Sequence, residues 1–242
     1  TLDLEAGTIL ALAGPNGAGK SSLLQLISGD IQPGSGRLSL GDRAIHEWPA
    51  QERARQLAFL PQMSLLNFPY TVEEVVMLGR TPHSSGLHKD REVVERALRL
   101  TDTLSLRQRL YTQLSGGEKQ RAQLARVFAQ ILDSKRVDGR LLLLDEPTSA
   151  LDLAHQQQVL LAVRELASDG CAIILVIHDL NLASSIADRV LVLDNGRQVA
   201  LGTPHTVLTT DLFRDVFAVE VDISQHPRGN YPMITLLRQL TG

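Results

Sequence analysis

Cysteine is almost missing from this sequence: one residue in 242, Cys171. A lone thiol cannot build a disulfide framework, which points to a reducing compartment. Its neighbours AIILVI mark Cys171 as a buried, inert thiol on a strand. Excess positive charge is missing too. With 24 Lys and Arg against 27 Asp and Glu, the formal net charge is −3 and nothing supports a nucleic-acid-binding face. Long apolar runs are absent: CAIILVI stops at His178, far short of the roughly 20 residues that a membrane-spanning helix needs. The opening TLDLEAGTILALAG has no charged leader and no small-residue cleavage site, so a secretory signal is not expected. Internal repeats and low-complexity segments are also missing. The remaining composition, 43% hydrophobic and 21% charged, fits one large globular domain or a domain with a subdomain.

Hydrophobic patterning alternates between two periods. TILALAG (8–14) reads as a buried strand that runs into a glycine-rich turn and then a helix, SLLQLIS. RLSLGDRAI (37–45) reads as a short hairpin around Gly-Asp, and RQLAFLPQ (55–62) as another strand. From Thr71 to about Gln130 the pattern is helical. In KDREVVERALRL, Val93, Val94, Ala97 and Leu98 share one face, with Glu92/Arg96 and Glu95/Arg99 as i,i+4 pairs on the other. After Gly139, RLLLLDEP is a strand, HQQQVLLAVRELASDG a helix, CAIILVIHD a strand, LNLASSIAD a helix and RVLVLDNGRQVALG a hairpin. Strand and helix alternate at both ends around a helical insert, which predicts a parallel-sheet α/β core interrupted by an α-helical subdomain.

Four segments carry chemistry. GPNGAGKS places Gly14, Gly19, Lys20 and Ser21 in the spacing of a phosphate-binding loop, between a strand and a helix as such a loop requires. Its N–H groups would wrap phosphates, Lys20 would reach the β and γ oxygens, and Ser21 could ligate Mg²⁺. LLLLDEP ends a strand in two carboxylates: Asp145 is placed for the Mg²⁺ shell and Glu146 to polarise an attacking water. His178 follows a second apolar strand, on the sheet edge where ligands bind, and suits a γ-phosphate contact. Finally, Ser115-x-x-Glu118 in LSGGEKQR is a capping box for a strong helix. The box does not explain Gly116 and Gly117, each costing about 1 kcal/mol in a helix interior relative to alanine. A glycine-exposed helix N-terminus is an anion site, yet the chain already has a phosphate loop.

In order, GPNGAGKS, LAFLPQ, LSGGEKQR, LLLLDEPTSALD and LVIHD resemble the ATP-binding subunits of ABC transporters, over essentially the whole chain. The resemblance implies a P-loop NTPase (RecA-like) core at 1–64 and 137–242, a helical signature subdomain at 65–136, and small antiparallel β elements. It implies that Gly14, Pro15, Asn16, Gly17, Ala18, Gly19, Lys20, Ser21 and Ser22 bind ATP phosphates, and that Ser21, Gln62 and Asp145 hold Mg²⁺. Glu146, His178 and Lys20 become the catalytic set. Ser115, Gly116, Gly117 and Glu118 match the signature, and Ser149, Ala150, Leu151 and Asp152 the D-loop. The family works as a head-to-tail pair, each signature facing the partner's ATP, docked on a permease dimer at the cytoplasmic face of the bacterial inner membrane, with a periplasmic binding protein delivering the substrate.

Two departures accompany the resemblance. The family's strand with an adenine-stacking aromatic would lie ahead of Thr1, and the link QILDSKRVDGR is several residues longer than usual. TVEEVVMLGRTPH and LVIHDLNLA resemble importers of iron–siderophore complexes, cobalamin and haem, and the long link with HPRGNYPMITLL resembles the haem importers most. MSLLNFPY suits either docking on a permease or packing under the helical insert. Repair ATPases would need a long coiled coil where only 95 positions (115 − 20) separate Lys20 from Ser115. Translation factors would need two ATPase units, and a non-hydrolysing module would lack Glu146 or His178.

Overall fold

The structure is a computed structural model and describes residues 1–62, 66, 68–132 and 139–240. Its centre is a six-stranded sheet of order β4-β5-β6-β1-β7-β8. The strands are β1 (Ile9–Ala13), β4 (Leu57–Leu60), β5 (Leu141–Asp145), β6 (Ala172–Val176), β7 (Arg189–Asp194) and β8 (Arg197–Gly202). Neighbours from β4 to β7 are parallel and β8 closes the edge antiparallel. Small hairpins flank it: β2 (Ser39–Leu40) with β3 (Arg43–Ala44), and β9 (Val219–Gln225) with β10 (Pro232–Gln239).

The strands are continuous apolar runs because both faces of the sheet are covered, as a parallel sheet demands. Side-chain alternation sorts β1 between two cores: Ile9, Ala11 and Ala13 join one cluster, and Leu10 and Leu12 the other. Helices α1 (Lys20–Ser28) and α2 (Ala50–Gln56) lie on the chain segment between β1 and β4, and α6 (Leu153–Ser168) and α7 (Leu180–Ile186) on that between β5 and β7. Leu24 and Ile27 of α1 enter one core, Val159, Val163 and Leu166 of α6 the other.

Between β4 and β5 come α3 (Val72–Met77), α4 (Leu87–Leu100) and α5 (Gly116–Ile131). Val93, Val94, Ala97 and Leu98 are the buried face of α4, as their spacing predicts. Helix α5 joins insert to sheet: its Gln130 amide donates to the carbonyls of Ala54 and Leu57, at 2.8 and 3.1 Å. The core therefore runs without a break from the insert into the sheet. The expected subdomain boundaries at 64/65 and 136/137, and most of the long link, fall outside the described residues.

Several expectations change. Arg55 and Gln56 end α2, so the strand expected over 55–62 shrinks to β4. Cys171 and His178 sit just outside β6 rather than on it. Cys171 is buried, and that burial pushes its thiol up to about 12. Arg96 does not pair with Glu92. It reaches across to Glu165 and Asp169 of the α6 turn at 2.9 and 3.1 Å, while Glu92 meets His88 and Lys89. The Glu95–Arg99 pair is present. After β8 come α8 (Pro204–Val207) and α9 (Thr210–Phe217), which with the β9–β10 hairpin have no counterpart in the sequence reading.

Candidate nucleotide site

All the candidate residues of the core lie where parallel strands end: the glycine loop after β1, Gln62 after β4, Asp145 and Glu146 at β5, and His178 after β6. This is the edge where open α/β sheets bind ligands. The loop leaves β1 at Gly14, with φ +143°, and a side chain there would collide with the Leu193 carbonyl. Gly19 is the N-cap of α1 with no side-chain cap, leaving that helix's first N–H groups free for an anion. Asn16, Gly17, Ser21 and Ser22 are exposed around this opening, with Pro15 half-buried and Ala18 buried beneath. Lys20 is buried, and its ammonium donates to the carbonyls of Gly14 and Pro15 at 2.8 and 2.9 Å. Burial lowers the affinity of this lysine for its proton, opposed by the charges of Glu146 and Asp145.

Opposite the loop, Asp145 is 3% exposed and its Oδ1 is buried with no hydrogen-bond partner. Burial raises its pKa first, while a hydrogen bond from Ser21 works in the other direction. A buried carboxylate oxygen without a donor, beside a hydroxyl, is an oxygen donor set that fits Mg²⁺, which takes one or two protein oxygens and completes its shell with phosphates and water. Glu146 follows in the left-handed region at φ +53°, a strained conformation for a glutamate. Its Oε1 accepts from Gln62 Nε2 at 3.0 Å and lies 2.6 Å from His178 Nε2. The segments after β4 and β6 thus each send one side chain to the same oxygen of the carboxylate that follows β5, which brings Gln62, Glu146 and His178 together. Gln62 meets this carboxylate rather than Asp145 or Ser21.

The LSGG segment sits elsewhere. Ser115 caps α5: its Oγ accepts from the Glu118 N–H at 3.3 Å, and Glu118 Oε2 accepts from the Ser115 N–H at 2.7 Å. That backbone hydrogen bond, with Arg109 nearby, holds the Glu118 carboxyl below the usual range. The two glycines differ. Gly116 faces open space, whereas a Cβ on Gly117 would stand 2.9 Å from the carbonyl oxygen of Ala150. Among the described residues no hydrogen bond joins Ser115–Glu118 to the glycine loop of the same chain; α5 instead meets the segment after β5. Gln120 donates to the carbonyls of Glu146 and Pro147, both at 3.4 Å. In that segment Ser149 Oγ donates to the Glu146 carbonyl at 3.1 Å, and Asp152 caps α6 by accepting from the His155 N–H at 2.9 Å. Gln120 and His155 were not singled out from sequence, because nothing local distinguishes them from other polar residues of a helix. A separate polar cleft of about 610 Å³ lies beside Arg43, Trp48 and Glu52, on the small hairpin and α2. It shares no residue with the loop chemistry and lies outside the site described above.

A phosphate loop, a buried acidic strand end and a second carboxylate at the same sheet edge define the class of P-loop nucleotide hydrolases. Comparison with known proteins narrows this class. The ABC transporter family model matches residues 1–149. The hemin import ATP-binding protein of Pseudomonas entomophila is 51% identical over 96% of this chain and 91% of that protein. Those of Pseudomonas aeruginosa and Gloeobacter violaceus are 47% and 46% identical, covering 91% and 86% of their lengths and 96% of this chain in each case. A solved transporter described as of the metal-chelate type, inward-facing, superposes with TM-score 0.78 at 30% identity, covering 98% of this chain and 90% of that one. A solved ATP-binding subunit of an ABC transporter gives 0.75 at 27%, over 86% and 83%. The chain belongs to the ABC transporter family, as one of its ATP-binding, ATP-hydrolysing subunits.

Proposed function

We propose that this subunit hydrolyses ATP with Mg²⁺ to energise import of hemin through a membrane permease. The convergence of Gln62 and His178 on Glu146 Oε1, one residue beyond a buried Asp145 and facing the P-loop, is the observation that carries the catalytic part. The loop 14–22, through its N–H groups other than at Pro15, and the Lys20 ammonium bind the β and γ phosphates; Lys20 gives up its two carbonyl contacts to do so. Ser21 and Asp145 hold Mg²⁺, which when bound neutralises charge on the phosphate oxygens. Gln62 is placed to sense that shell through Glu146 rather than to ligate the metal unaided. Glu146 orients water in line with the γ-phosphate, and His178 releases its grip on Glu146 to contact that phosphate.

The exposed Ser115 and Gly116 support a head-to-tail pair in which each signature, 115–118, faces the partner's ATP and each D-loop, 149–152, lies along the join. Hemin as cargo rests on the relatives at 46–51% identity, whose printed names state hemin import; iron–siderophore or cobalamin cargo is the alternative. The division into a core at 1–64 and 137–242 and a helical subdomain at 65–136 belongs to the same reading. Phe68 and Tyr70 are 61% and 42% exposed with ring centroids 6.0 Å apart, which favours a permease contact over core packing at those two residues. The permease dimer and a periplasmic binding protein then place the subunit on the inner face of a bacterial inner membrane.

Glu146→Gln tests the catalytic assignment. It keeps the size of the side chain, so ATP binding should persist while turnover falls by about 100-fold or more. Full ATPase activity in that variant refutes the role of Glu146.

A further inference from the structure

The first two turns of α5 touch the segment 146–152 at two points already described, Gly117 against Ala150 and Gln120 against Glu146 and Pro147. A third connection runs through charged groups. Arg121, buried on α5, donates from Nη1 to the carbonyl and the Oδ2 of Asp102, at 2.8 and 3.1 Å. Asp102 follows α4 in the left-handed region, φ +51°. Its Oδ2 lies 3.6 Å from His155 Nε2, and His155 Nδ1 lies 2.8 Å from Asp152 Oδ1. One imidazole therefore spans two carboxylates 50 positions apart in sequence (152 − 102), one on the helical insert and one at the end of the D-loop. The backbone N–H of His155 first, and then its imidazole, hold the Asp152 carboxyl below its usual range.

We propose that His155 is a positioning residue that clamps the signature helix to the D-loop, so that both move as one body. The proposal rests on the head-to-tail reading above and goes beyond it. In that arrangement Ser115 serves the partner's ATP while Glu146 serves its own chain's, and the clamp lies between them. The His155–Asp152 contact at 2.8 Å is a hydrogen bond to a carboxylate, the stronger charge-assisted class, and the approach to Asp102 at 3.6 Å is a longer polar contact, while Gly117 and Gln120 supply only close packing and long amide contacts. A rigid link of this kind makes occupancy of one ATP site bias the geometry of the other, which is a coupling free energy between sites.

Steady-state Mg-ATP hydrolysis by the full chain, with ATP affinity measured separately by equilibrium binding, tests the clamp. Glycine accepts φ +51° without strain, so Asp102→Gly removes the carboxylate and keeps the turn. His155→Ala and Asp102→Gly should each lower kcat by about tenfold and pull the Hill coefficient toward one, with ATP affinity unchanged. The double variant should be no worse than either single one. His155→Asn keeps an N–H for Asp152 but is too short for Asp102, and should be as defective as His155→Ala. A role confined to capping α6 would not give that result. Unchanged kcat in both single variants, additive losses in the double variant, or full rescue by asparagine overturns the clamp. The Glu146→Gln control separates the two ideas: full turnover there sinks the reading of the site, whatever His155 does.

Discussion

Asp145 carries the sharpest conflict between folding and function. Its carboxyl is buried with one oxygen unpartnered, and burial raises its pKa. A raised carboxyl pKa means that folding is most favourable while the group is protonated, and that stability is lost as pH climbs through the folded value. Asp145→Asn removes that loss. Without nucleotide, the variant should resist urea better than the parent at pH 8, by about 1 kcal/mol, and the advantage should shrink toward pH 4 as the parent's carboxyl protonates. Its Mg-dependent ATPase activity should vanish. Equal denaturation midpoints at both pH values would show that Asp145 is not strained by its burial. Glu146 shows the same trade in its backbone, since a glutamate at φ +53° is tolerated here for where it puts the carboxylate.

At the level of elements, the two glycines that open α5 separate into different roles. The sequence poses them as one question, because both cost helix stability and neither is needed for the Ser115–Glu118 box. Gly117 has a reason inside the chain: no Cβ fits beside the Ala150 carbonyl. Gly116 has none, and it faces outward. Gly116→Ala should therefore raise the melting temperature of the isolated subunit, by up to about 1 kcal/mol of helix propensity, yet reduce ATPase activity. Gly117→Ala should lower both, by about 1–3 kcal/mol in stability, because the D-loop must shift. Calorimetry with an activity assay distinguishes them; identical behaviour of the two variants would remove the distinction. The pattern of strands, P-loop, carboxylates and capping box was legible because each is local: a period, a spacing, a cap. The partner of Arg96, the start of β4 and the clamp at His155 were not, since each depends on what another element brings alongside. Arg96 chose Glu165 and Asp169 over its own i−4 neighbour, and Arg55 and Gln56 were drawn into a helix by packing that no window of eight residues contains. The C-terminal hairpin escaped for a related reason. Ile234 lies against the core and Met233 is half-buried while Leu236 and Leu237 face solvent, so hydrophobicity does not mark one buried face cleanly.

For the whole molecule, the central claim is that this chain is half of a catalytic unit, with the P-loop of one copy completed by Ser115 of another. The lone cysteine makes this directly measurable, since Cys171 is buried with its thiol pushed up to about 12 and leaves a silent background for engineered thiols. Asn16 and Ser115 are both exposed, one on the P-loop and one at the signature. Two variants, Asn16→Cys and Ser115→Cys, each also carrying Glu146→Gln to stall turnover, are mixed with Mg-ATP and oxidised, then separated without reductant. The account predicts a covalent dimer in the mixture, formed only with ATP and missing from either variant alone. No dimer above the level of the separate variants, or the same yield without ATP, would contradict it.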